Sequence, residues 1–302
     1  MAECTETIFG VLLLDKPLGL SSHRATQIVR RLFQAKKAGH TGSLDPAATG
    51  LLPICLGEAT KFASYLLDAD KAYCATVQFG VTTTTGDQEG AVLKRHDVTF
   101  CQADLEHVVS QFCGDQMQLP PMYSALKYHG KPLYQYARSG LTVERAPRKI
   151  TVYHMEVMRY ADGVADIFIH CSKGTYIRTL AEDIGRTLGS GASLLALKRT
   201  QIGIYGLKDA FSVETLEQLS LNDRKTKLMP VDSLVTSLPT ICLEKKQAFS
   251  FQQGQTVPIF EQSSDILKRF RVYSETDPPL FIGVGEAQKP GVLTPIRLMA
   301  ME

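Results

Sequence analysis

Tryptophan is absent from the 302-residue sequence, so its 11 tyrosines and 13 phenylalanines must supply any aromatic stacking. Long apolar runs are absent too, since the run at residues 11–14 ends at Asp15 and Lys16. A secretory signal needs a longer apolar core, and a membrane helix needs roughly 20 apolar residues. We therefore expect a cytoplasmic protein that does not enter a membrane.

Paired cysteine motifs are also missing. The seven cysteines make an odd count, and no two are spaced as Cys-x-x-Cys. Disulfide frameworks and zinc sites usually show such pairs. The sequence also has no phosphate-binding glycine loop, dinucleotide fingerprint or metal-ligand spacing. We therefore expect reduced thiols, no metal and no cofactor.

Charge is nearly balanced overall, at +2, but it is unevenly distributed along the chain. No carboxylate lies between Asp15 and Asp45, although six lysines and arginines fall there. A second basic stretch covers residues 127–149, and Glu144 is its one acidic residue. Such segregation is typical of a polyanion-binding face and, equally, of a solvated helix face. Charge alone leaves both interpretations open.

Hydrophobic periodicity predicts strands and helices in an irregular order. The predicted strands cover residues 11–14, 73–79, 151–158 and 164–170. Ser21 or Ser22 can cap a first helix that continues to Phe33, and a second helix lies between Gly174 and Gly189. No repeating βαβ pattern is present. This mixture favours an α+β fold, with a mixed, mainly antiparallel sheet flanked by helices.

A domain boundary is predicted in residues 222–240, which begin polar and contain Pro230 and Pro239. Beyond it, short strand-like runs alternate with Pro and Gly, as in a small β-rich barrel. These runs cover residues 256–260, 270–273, 280–284 and 296–299. We expect a larger domain at 1–238 and a smaller one at 239–302. The smaller one should pack on the larger, because a domain of its size is only marginally stable alone.

Residues 39–50, GHTGSLDPAATG, are predicted to form a loop, because they are dense in Gly, Thr, Ser, Asp and Pro. On residue chemistry alone, Asp45 is best explained as a helix N-cap with Pro46 at the first helical position. The functional alternative is a loop carboxylate held in a cleft as a nucleophile or general base. An aspartate is already ionised at neutral pH, so such a group needs orientation more than activation.

Five motifs, in order along the first 200 residues, resemble the TruB family of pseudouridine synthases. The longest is residues 39–61, GHTGSLDPAATGLLPICLGEATK, which is similar to the family's signature segment. The other four lie at residues 14–22, 70–73, 122–127 and 171–180. The last 60 or so residues resemble a PUA-type RNA-binding domain, best at residues 281–286. The sequence departs from the family pattern at Thr82, Thr84 and Lys198, where Arg, Asp and Arg are usual.

The resemblance implies a pseudouridine synthase fold and a cofactor-free isomerase. Its substrate would be uridine 55 in the T-arm of tRNA. The uridine would flip out of its stack, its N1–C1′ bond would break, and C5 would bond to C1′ after the uracil turns. Nothing in the sequence indicates an obligate protein partner, and we expect a monomer.

Three residues would carry the reaction, according to the resemblance. Asp45 would be the attacking carboxylate, Arg178 its ion-pair partner, and Tyr73 would stack on the uracil and help to remove the C5 proton. A desolvated carboxylate needs a paired guanidinium to stay ionised, which agrees with these roles. Without the motifs, Arg178 would be explained as a surface salt bridge and Tyr73 as a core tyrosine.

Five further residues would bind substrate, according to the same resemblance. His40 would enter or contact the space that the flipped base leaves, and Tyr176 and Leu197 would complete the base pocket. Lys16 and Lys61 would support the site or contact phosphate. Without the motifs, His40 would be explained as a loop residue and Leu197 as a core residue.

Other classes of protein fit the sequence less well. Residues 124–127 match the Ser-x-x-Lys pattern of penicillin-recognising enzymes, but the partner Lys-Thr-Gly motif is missing. A glycosidase needs a second carboxylate opposite Asp45, and no recognisable acid environment surrounds Asp15 or Asp87. An RNA-binding protein or tRNA-folding chaperone stays open as the alternative. Binding needs only basic faces and an aromatic ring, whereas isomerisation also needs the carboxylate and its cation, so an enzyme is favoured.

Overall fold

The computed structural model describes residues 8–259, 267–289 and 291–300. The α-helices are α1 (Ser22–Leu32), α2 (Ala63–Leu67), α3 (Gln102–Gln111), α4 (Leu133–Arg138), α5 (Ile177–Thr187), α6 (Val213–Gln218), α7 (Leu221–Lys225) and α8 (Lys245–Gln252). Short 3₁₀ helices lie at Gly57–Lys61, Leu207–Asp209 and Val231–Val235. Of the helices described, none is both long and apolar enough to cross a membrane.

Strands make up two larger sheets and two short hairpins. The first nine strands are β1 (Gly10–Lys16), β2 (Ala38–His40), β3 (Ala48–Leu56), β4 (Lys71–Phe79), β5 (Val81–Thr83), β6 (Val92–Arg95), β7 (Gly114–Gln118), β8 (Lys127–Tyr128) and β9 (Lys131–Pro132). The others are β10 (Arg148–Ala161), β11 (Val164–Cys171), β12 (Ala192–Ile202), β13 (Tyr205–Gly206), β14 (Thr240–Leu243), β15 (Val257–Pro258), β16 (Lys268–Ser274), β17 (Leu280–Lys289) and β18 (Val292–Leu298).

The main sheet has the strand order β1-β3-β12-β4-β11-β10-β7, and β2 and β13 pair with β3 and β12. β3 and β12 run parallel, whereas the other neighbours in this sheet are antiparallel. The expected α+β fold with a mixed, mainly antiparallel sheet is therefore confirmed. β12 lies at the centre of the sheet, between β3 and β4.

The two predicted helices form as α1 and α5. Ser21 caps α1 and accepts a hydrogen bond from the Arg24 amide at 3.2 Å, as its position before an apolar stripe predicts. The apolar side of α5 packs with α3 on the main sheet, in a cluster that includes Leu180 and Ile184 with Val77 and Ile167. Burial of these two faces fixes both helices against the sheet.

Predicted strands are confirmed at β1, β4, β10 and β11. In β4 the side chains of Tyr73, Ala75 and Val77 are buried while Cys74 is exposed, which is the expected alternation. Residues 39–50 were expected to be a loop, and this is wrong at both ends, because β2 ends at His40 and β3 begins at Ala48.

A second sheet, of five strands, has the order β14-β16-β17-β18-β15 and packs against α8. β15 to β18 coincide with the four predicted strand runs, although Phe260 lies outside the described residues. The second sheet contacts the first part of the chain through Phe281, whose ring centroid lies 5.4 Å from that of Phe62. Tyr273 also donates a hydrogen bond to Asp232 at 2.5 Å.

Candidate active site

Asp45 lies in the loop between β2 and β3, and contacts from distant elements hold this loop. The hydroxyl of Ser22, on α1, accepts a hydrogen bond from the Leu44 amide at 2.7 Å and donates one to the Leu44 carbonyl at 2.9 Å. The Gly19 amide donates to the Pro46 carbonyl at 2.9 Å. Two adjacent serines thus have separate functions: Ser21 caps the helix, and Ser22 fixes the loop.

The interpretation of Asp45 as a helix N-cap is wrong. The Ala48 amide donates to the Asp45 carbonyl at 3.0 Å, which closes a single turn, and the chain then enters β3. No helix begins at Pro46. The carboxylate therefore does not cap a helix, and its side chain is 49% exposed.

Arg178 holds the Asp45 carboxylate. It lies in the first turn of α5, with its side chain 9% exposed, and its Nη2 is 3.0 Å from Asp45 Oδ2. Its Nη1 is 3.3 Å from Oδ2 of the buried Asp87. The same guanidinium donates to the carbonyls of Thr85 at 3.1 Å and Tyr123 at 2.8 Å. Because four acceptors fix its orientation, Arg178 is a buried anchor and not the surface salt bridge that the residue alone suggests.

These charges lie at a small pocket with apolar walls. Its lining consists of Asp45, Ala47, Ala48, Asp87, Arg178, and residues 194–197 of β12. Leu197 is one of these residues, and its register partners are Ala48 on β3 and Ala75 on β4. Among the described residues, no three His, Cys, Asp or Glu side chains are grouped so that they could hold a metal ion.

Tyr73 lies beside the pocket, on the neighbouring strand β4. Its side chain is 7% exposed and packs in the same hydrophobic cluster as Leu44 and Ala48. Burial raises the pKa of Tyr73, and the nearby Asp45 carboxylate adds to this rise, whereas Arg199 opposes it. The ring is thus both a core residue and a neighbour of the carboxylate.

Tyr176 and His40 approach from two other elements. Tyr176 precedes α5, and its amide and carbonyl are both hydrogen-bonded to the Gln118 side chain, at 2.8 and 3.1 Å. The buried hydroxyl of Ser124 lies beside it. His40 ends β2, and its Nδ1 is buried with no hydrogen-bond partner among the described residues. Burial, and then Arg199, lower the pKa of His40, which favours the neutral imidazole.

The two lysines of the expected site make internal contacts. Lys16 is fully buried, and its Nζ donates to the carbonyls of Pro17 at 2.9 Å and Leu20 at 2.7 Å. Burial lowers the pKa of Lys16 to about 8, and the Asp45 carboxylate partly opposes this. Lys61 pairs with Glu58 at 2.6 Å and donates to the Leu298 carbonyl at 3.2 Å, so it contacts strand β18.

Two residues of the site were not assigned a function from the sequence. Asp87 was considered only as a second carboxylate for a glycosidase, yet it shares Arg178 with Asp45. The sequence gives no function to Arg199, although its guanidinium donates to the loop carbonyls of Gly42 and Ser43. Its neighbours Lys198 and Thr200 are polar as well, so no local signal distinguishes it.

The arrangement suits attack by a carboxylate on a planar ring. The Asp45 carboxylate is oriented by Arg178 and is still reachable from solvent. Tyr73 and Leu197 provide an aromatic and an aliphatic surface next to it. A flat, polar ring could pack on these surfaces with one edge towards the carboxylate.

Known families match nearly the whole chain. A model described as TruB family pseudouridylate synthase (N-terminal domain) matches residues 30–177. Models of a tRNA pseudouridylate synthase B C-terminal domain and of pseudouridine synthase II TruB, C-terminal, match residues 178–236 and 239–299.

Curated relatives are similar over almost the same length. The chain is 52% identical to tRNA pseudouridine synthase B of Chromobacterium violaceum, over 97% of this chain and 95% of the relative. It is 50% identical to the enzyme of that name from Methylobacillus flagellatus, with the same shares covered. The Pseudomonas aeruginosa enzyme is 46% identical, over 97% of this chain and 96% of the relative.

Solved structures share the fold. The archaeal box H/ACA sRNP Nop10–Cbf5 complex contains a chain with a TM-score of 0.71 and 22% identity, over 96% of this chain and 85% of that one. A Cbf5–Nop10–Gar1 complex gives a TM-score of 0.71 with 24% identity, over 97% and 84%. At this identity the likeness concerns the fold alone.

Proposed function

We infer that this chain, which belongs to the TruB family of pseudouridylate synthases, converts uridine 55 in the T-arm of tRNA to pseudouridine. The chain is an isomerase that forms pseudouridine in tRNA, as the family and the curated relatives establish. The alternative of an RNA-binding protein without catalysis is therefore not retained. The particular uridine is our proposal, and it rests on the five motifs that resemble the family.

The Asp45–Arg178 pair is the observation that carries the proposed mechanism. Asp45 is the nucleophile, and the guanidinium at 3.0 Å keeps it ionised and oriented when substrate excludes water from the pocket. Asp87 holds the opposite side of the same guanidinium, so Arg178 cannot turn away from Asp45 without leaving a buried carboxylate unpaired.

The target uridine must leave its stack to reach Asp45. Flipping a base costs a few kcal/mol, and stacking on an aromatic ring returns about 1–3 kcal/mol. In this proposal Tyr73 provides the ring and Leu197 is part of the pocket wall. Tyr176, which comes just before α5 and Arg178, completes the wall when substrate is bound. His40, which ends the strand before the Asp45 loop, contacts the RNA where the base has left its stack.

Isomerisation moves one glycosidic bond and needs no redox partner or group donor. The N1–C1′ bond breaks and its electron pair stays on the uracil, which turns in the pocket before C5 bonds to C1′. The Asp45 carboxylate forms a transient bond, to C1′ or to C6, and this bond breaks again before the product leaves, so that the carboxylate is regenerated. The C5–H bond then breaks and its electron pair restores the C5–C6 double bond, while N1 gains a proton. Tyr73 accepts the proton from C5. We propose no cofactor for this sequence of steps.

Basic surfaces on several elements provide the tRNA contact. Arg24, Arg31, Lys36 and Lys37 are exposed on and just after α1, whose first residue, Ser22, is hydrogen-bonded to the Asp45 loop. Lys16 supports the site from inside, because its ammonium group is hydrogen-bonded to main-chain carbonyls beside the start of α1. Lys61 instead joins its 3₁₀ helix to β18, through the Leu298 carbonyl. Residues 239–302 form a separate PUA-like RNA-binding domain that extends this contact. We propose that the enzyme acts as a monomer in the cytoplasm.

Tritium release from tRNA transcripts labelled at C5 of uridine tests the proposal. Wild type should release tritium from a transcript that contains uridine 55. It should release none from a transcript in which cytidine replaces uridine 55. Asp45→Asn should abolish release while leaving tRNA affinity within a few-fold, because the amide keeps the shape but is no nucleophile. Tyr73→Phe should also reduce release, because it removes the proton acceptor.

Asp183→Asn is the matched control. Asp183 also pairs with an arginine on α5, Arg186, at 2.8 Å, but it does not line the pocket. Its replacement should leave the rate unchanged. Normal turnover by Asp45→Asn would refute the assignment of the nucleophile. Release that persists after uridine 55 is replaced would refute the assignment of the target.

A further inference from the structure

Arg199 is a large charged side chain buried at the centre of the main sheet. It is 1% exposed and lies on β12. Its register partner on β4 is Tyr73, and its register partner on β3 is Gly50. The strand order therefore places this cation between the strand that follows the Asp45 loop and the strand that carries Tyr73.

The Arg199 guanidinium fastens the Asp45 loop. It donates to the carbonyls of Leu51 at 2.8 Å, Gly42 at 3.0 Å and Ser43 at 3.4 Å. These bonds offset part of the desolvation of the guanidinium. They do not neutralise its charge.

No carboxylate forms an ion pair with Arg199 among the residues that the structure describes. Asp45, in the loop whose carbonyls Arg199 binds, is paired with Arg178. The ammonium groups of Lys16 and Lys71 are also buried near Arg199. The interior around Arg199, Lys16 and Lys71 therefore holds an excess of positive charge. This excess stabilises a negative charge that forms on a neighbouring side chain.

Tyr73 is the titratable side chain next to this charge, because register partners on antiparallel strands extend from the same face of the sheet. Arg199 acts to lower the pKa of Tyr73, and Tyr73 acts to raise the pKa of Arg199, so each favours the charged form of the other. Hydroxyls and thiols in active sites are often activated in this way by a neighbouring cation. A tyrosine that served only as a stacking surface would not need a buried cation on the neighbouring strand.

We propose that Arg199 is a positioning residue for the proton transfer from C5: it holds the Tyr73 side chain in place and stabilises its phenolate form, which accepts the proton. This inference rests on the function proposed above for Tyr73. The phenolate takes the C5 proton, the C5–H electron pair closes the C5–C6 double bond, and N1 takes a proton from water. Tyr73 then returns its proton to solvent, so that no co-reactant is consumed.

Several groups around Tyr73 determine its ionisation. Burial, Cys171 at the end of β11 and Asp45 in the loop all raise the pKa of Tyr73, and Arg199 on β12 lowers it. Arg199 in turn faces Lys71 on β4, Lys16 on β1 and His40 on β2. Burial lowers the pKa of both lysines to about 8, and Arg199 adds to this, so the lysines of the Arg199 variants should lose their charge at a higher pH than those of wild type.

The titration of Tyr73 tests the inference without any substrate. Fluorotyrosine is placed at position 73 of the full chain, and its ¹⁹F resonance is followed against pH. We expect the pKa at position 73 to be higher in Arg199→Lys than in wild type, and higher again in Arg199→Gln. In Arg199→Gln the pKa should exceed that of wild type by about 1 pH unit or more. Arg199→Lys keeps a charge but lacks the planar fork, and it provides the comparison if Arg199→Gln does not fold.

Arg224→Gln is the matched control for the loss of a structural arginine. Arg224 also donates to three main-chain carbonyls, of Leu216, Leu32 and Glu217, but it lies away from the pocket. This variant should lose stability without shifting the titration at position 73. Identical titrations in wild type and the folded Arg199 variants would overturn the inference and leave Arg199 with a purely structural function.

Kinetics connect the titration to the reaction. Arg199→Gln should lower kcat by about tenfold for each unit by which the Tyr73 pKa rises, with little change in KM for tRNA. The more acidic fluorotyrosine should restore kcat in Arg199→Gln more than in wild type. Equal effects of fluorotyrosine in both backgrounds would contradict the inference. A shifted titration combined with full activity of Tyr73→Phe would instead contradict the function proposed for Tyr73, and leave the Arg199–Tyr73 coupling intact.

Discussion

Lys16 and Lys71 are buried cations that are held by main-chain carbonyls. Lys71 Nζ donates to the carbonyls of Leu67 at 2.8 Å and Ala69 at 2.5 Å. Burial lowers the pKa of each lysine from 10.5 to about 8. The fold therefore keeps two charges near the active site at neutral pH, and loses them at a pH where exposed lysines are still charged.

The lowered pKa of Lys71 predicts a pH dependence of stability. Between about pH 8 and 10.5 the unfolded chain binds more protons at this position than the folded chain, so its contribution to the free energy of unfolding rises with pH. We therefore expect wild type to become more stable relative to Lys71→Met as the pH rises. The difference in their free energies of unfolding should increase by up to about 1.4 kcal/mol per pH unit. Urea unfolding followed by circular dichroism at pH 7, 8 and 9 measures this difference.

Lys246→Met is the control for the pH dependence of Lys71. Lys246 is exposed on α8, so it has no desolvated charge to lose. Its difference from wild type should stay constant over the same pH range. A constant difference for Lys71→Met as well would show that its ammonium is not desolvated in the folded protein.

At the scale of the element, the close approach of β3 and β12 depends on one glycine. Gly50 has φ of +99°, and a Cβ at this position would lie 2.3 Å from the Arg199 carbonyl oxygen and 2.9 Å from the Arg199 amide nitrogen. No side chain fits between these main chains. The glycine thus allows the parallel pairing that places Leu197 and Arg199 at the site.

Gly50→Ala should therefore lower the free energy of unfolding by about 3 kcal/mol, from the left-handed φ and the clash with β12 together. Gly189→Ala is the control, because Gly189 has φ of +72° with no atom within 4 Å of its Cβ position. It should lose only about 1–2 kcal/mol, from the backbone strain alone. Chemical denaturation of both variants gives the comparison. Equal losses would mean that β3 and β12 can separate at no cost.

The elements that the sequence predicts are those with clear periodicity. α1 and α5 have an apolar stripe and a defined start, and β4 and β11 alternate between buried and exposed positions. β3 was missed because it is buried on both faces over almost its whole length and contains Gly50 and Pro53. β12 was missed because register shifts interrupt its alternation.

The site was predicted from motifs and not from residue chemistry. Asp45 followed by Pro46 fits a helix N-cap locally, and only contacts with distant residues hold it in a loop instead. Arg199 contacts carbonyls 148 to 157 positions away in sequence, so no local pattern reveals its function. Residues whose function depends on such distant partners need the structure.

At the scale of the whole molecule, one hydrophobic cluster joins the main sheet to the second sheet. Val11 and Leu13 of β1 and Val235 pack with Val284 of β17, and Phe281 packs against them. Glu58 strengthens this contact, since its carboxylate accepts hydrogen bonds from Lys61 and from the Ala300 amide, both at 2.6 Å. The second sheet is therefore held in a fixed position relative to the active site.

Phe281 is the side chain that tests this connection. Its ring lies 5.4 Å from that of Phe62 and 5.6 Å from that of Tyr273, measured between centroids. Phe281→Ala should lower the free energy of unfolding by roughly 2–4 kcal/mol, because it opens a gap in the cluster that both sheets share. Phe249→Ala, which removes a 60% exposed ring from α8, should change it by no more than about 0.5 kcal/mol.

Phe281→Ala also tests whether tRNA binding depends on the position of the second sheet. If residues 239–302 bind tRNA from a fixed position, Phe281→Ala should raise KM for full-length tRNA about five- to tenfold and leave kcat unchanged, because the Asp45 pocket is intact. The KM for an isolated T-arm hairpin should change less. An equal rise for both substrates would mean that the loss reaches the pocket itself. No rise for either substrate would mean that tRNA binding does not depend on how the second sheet is held.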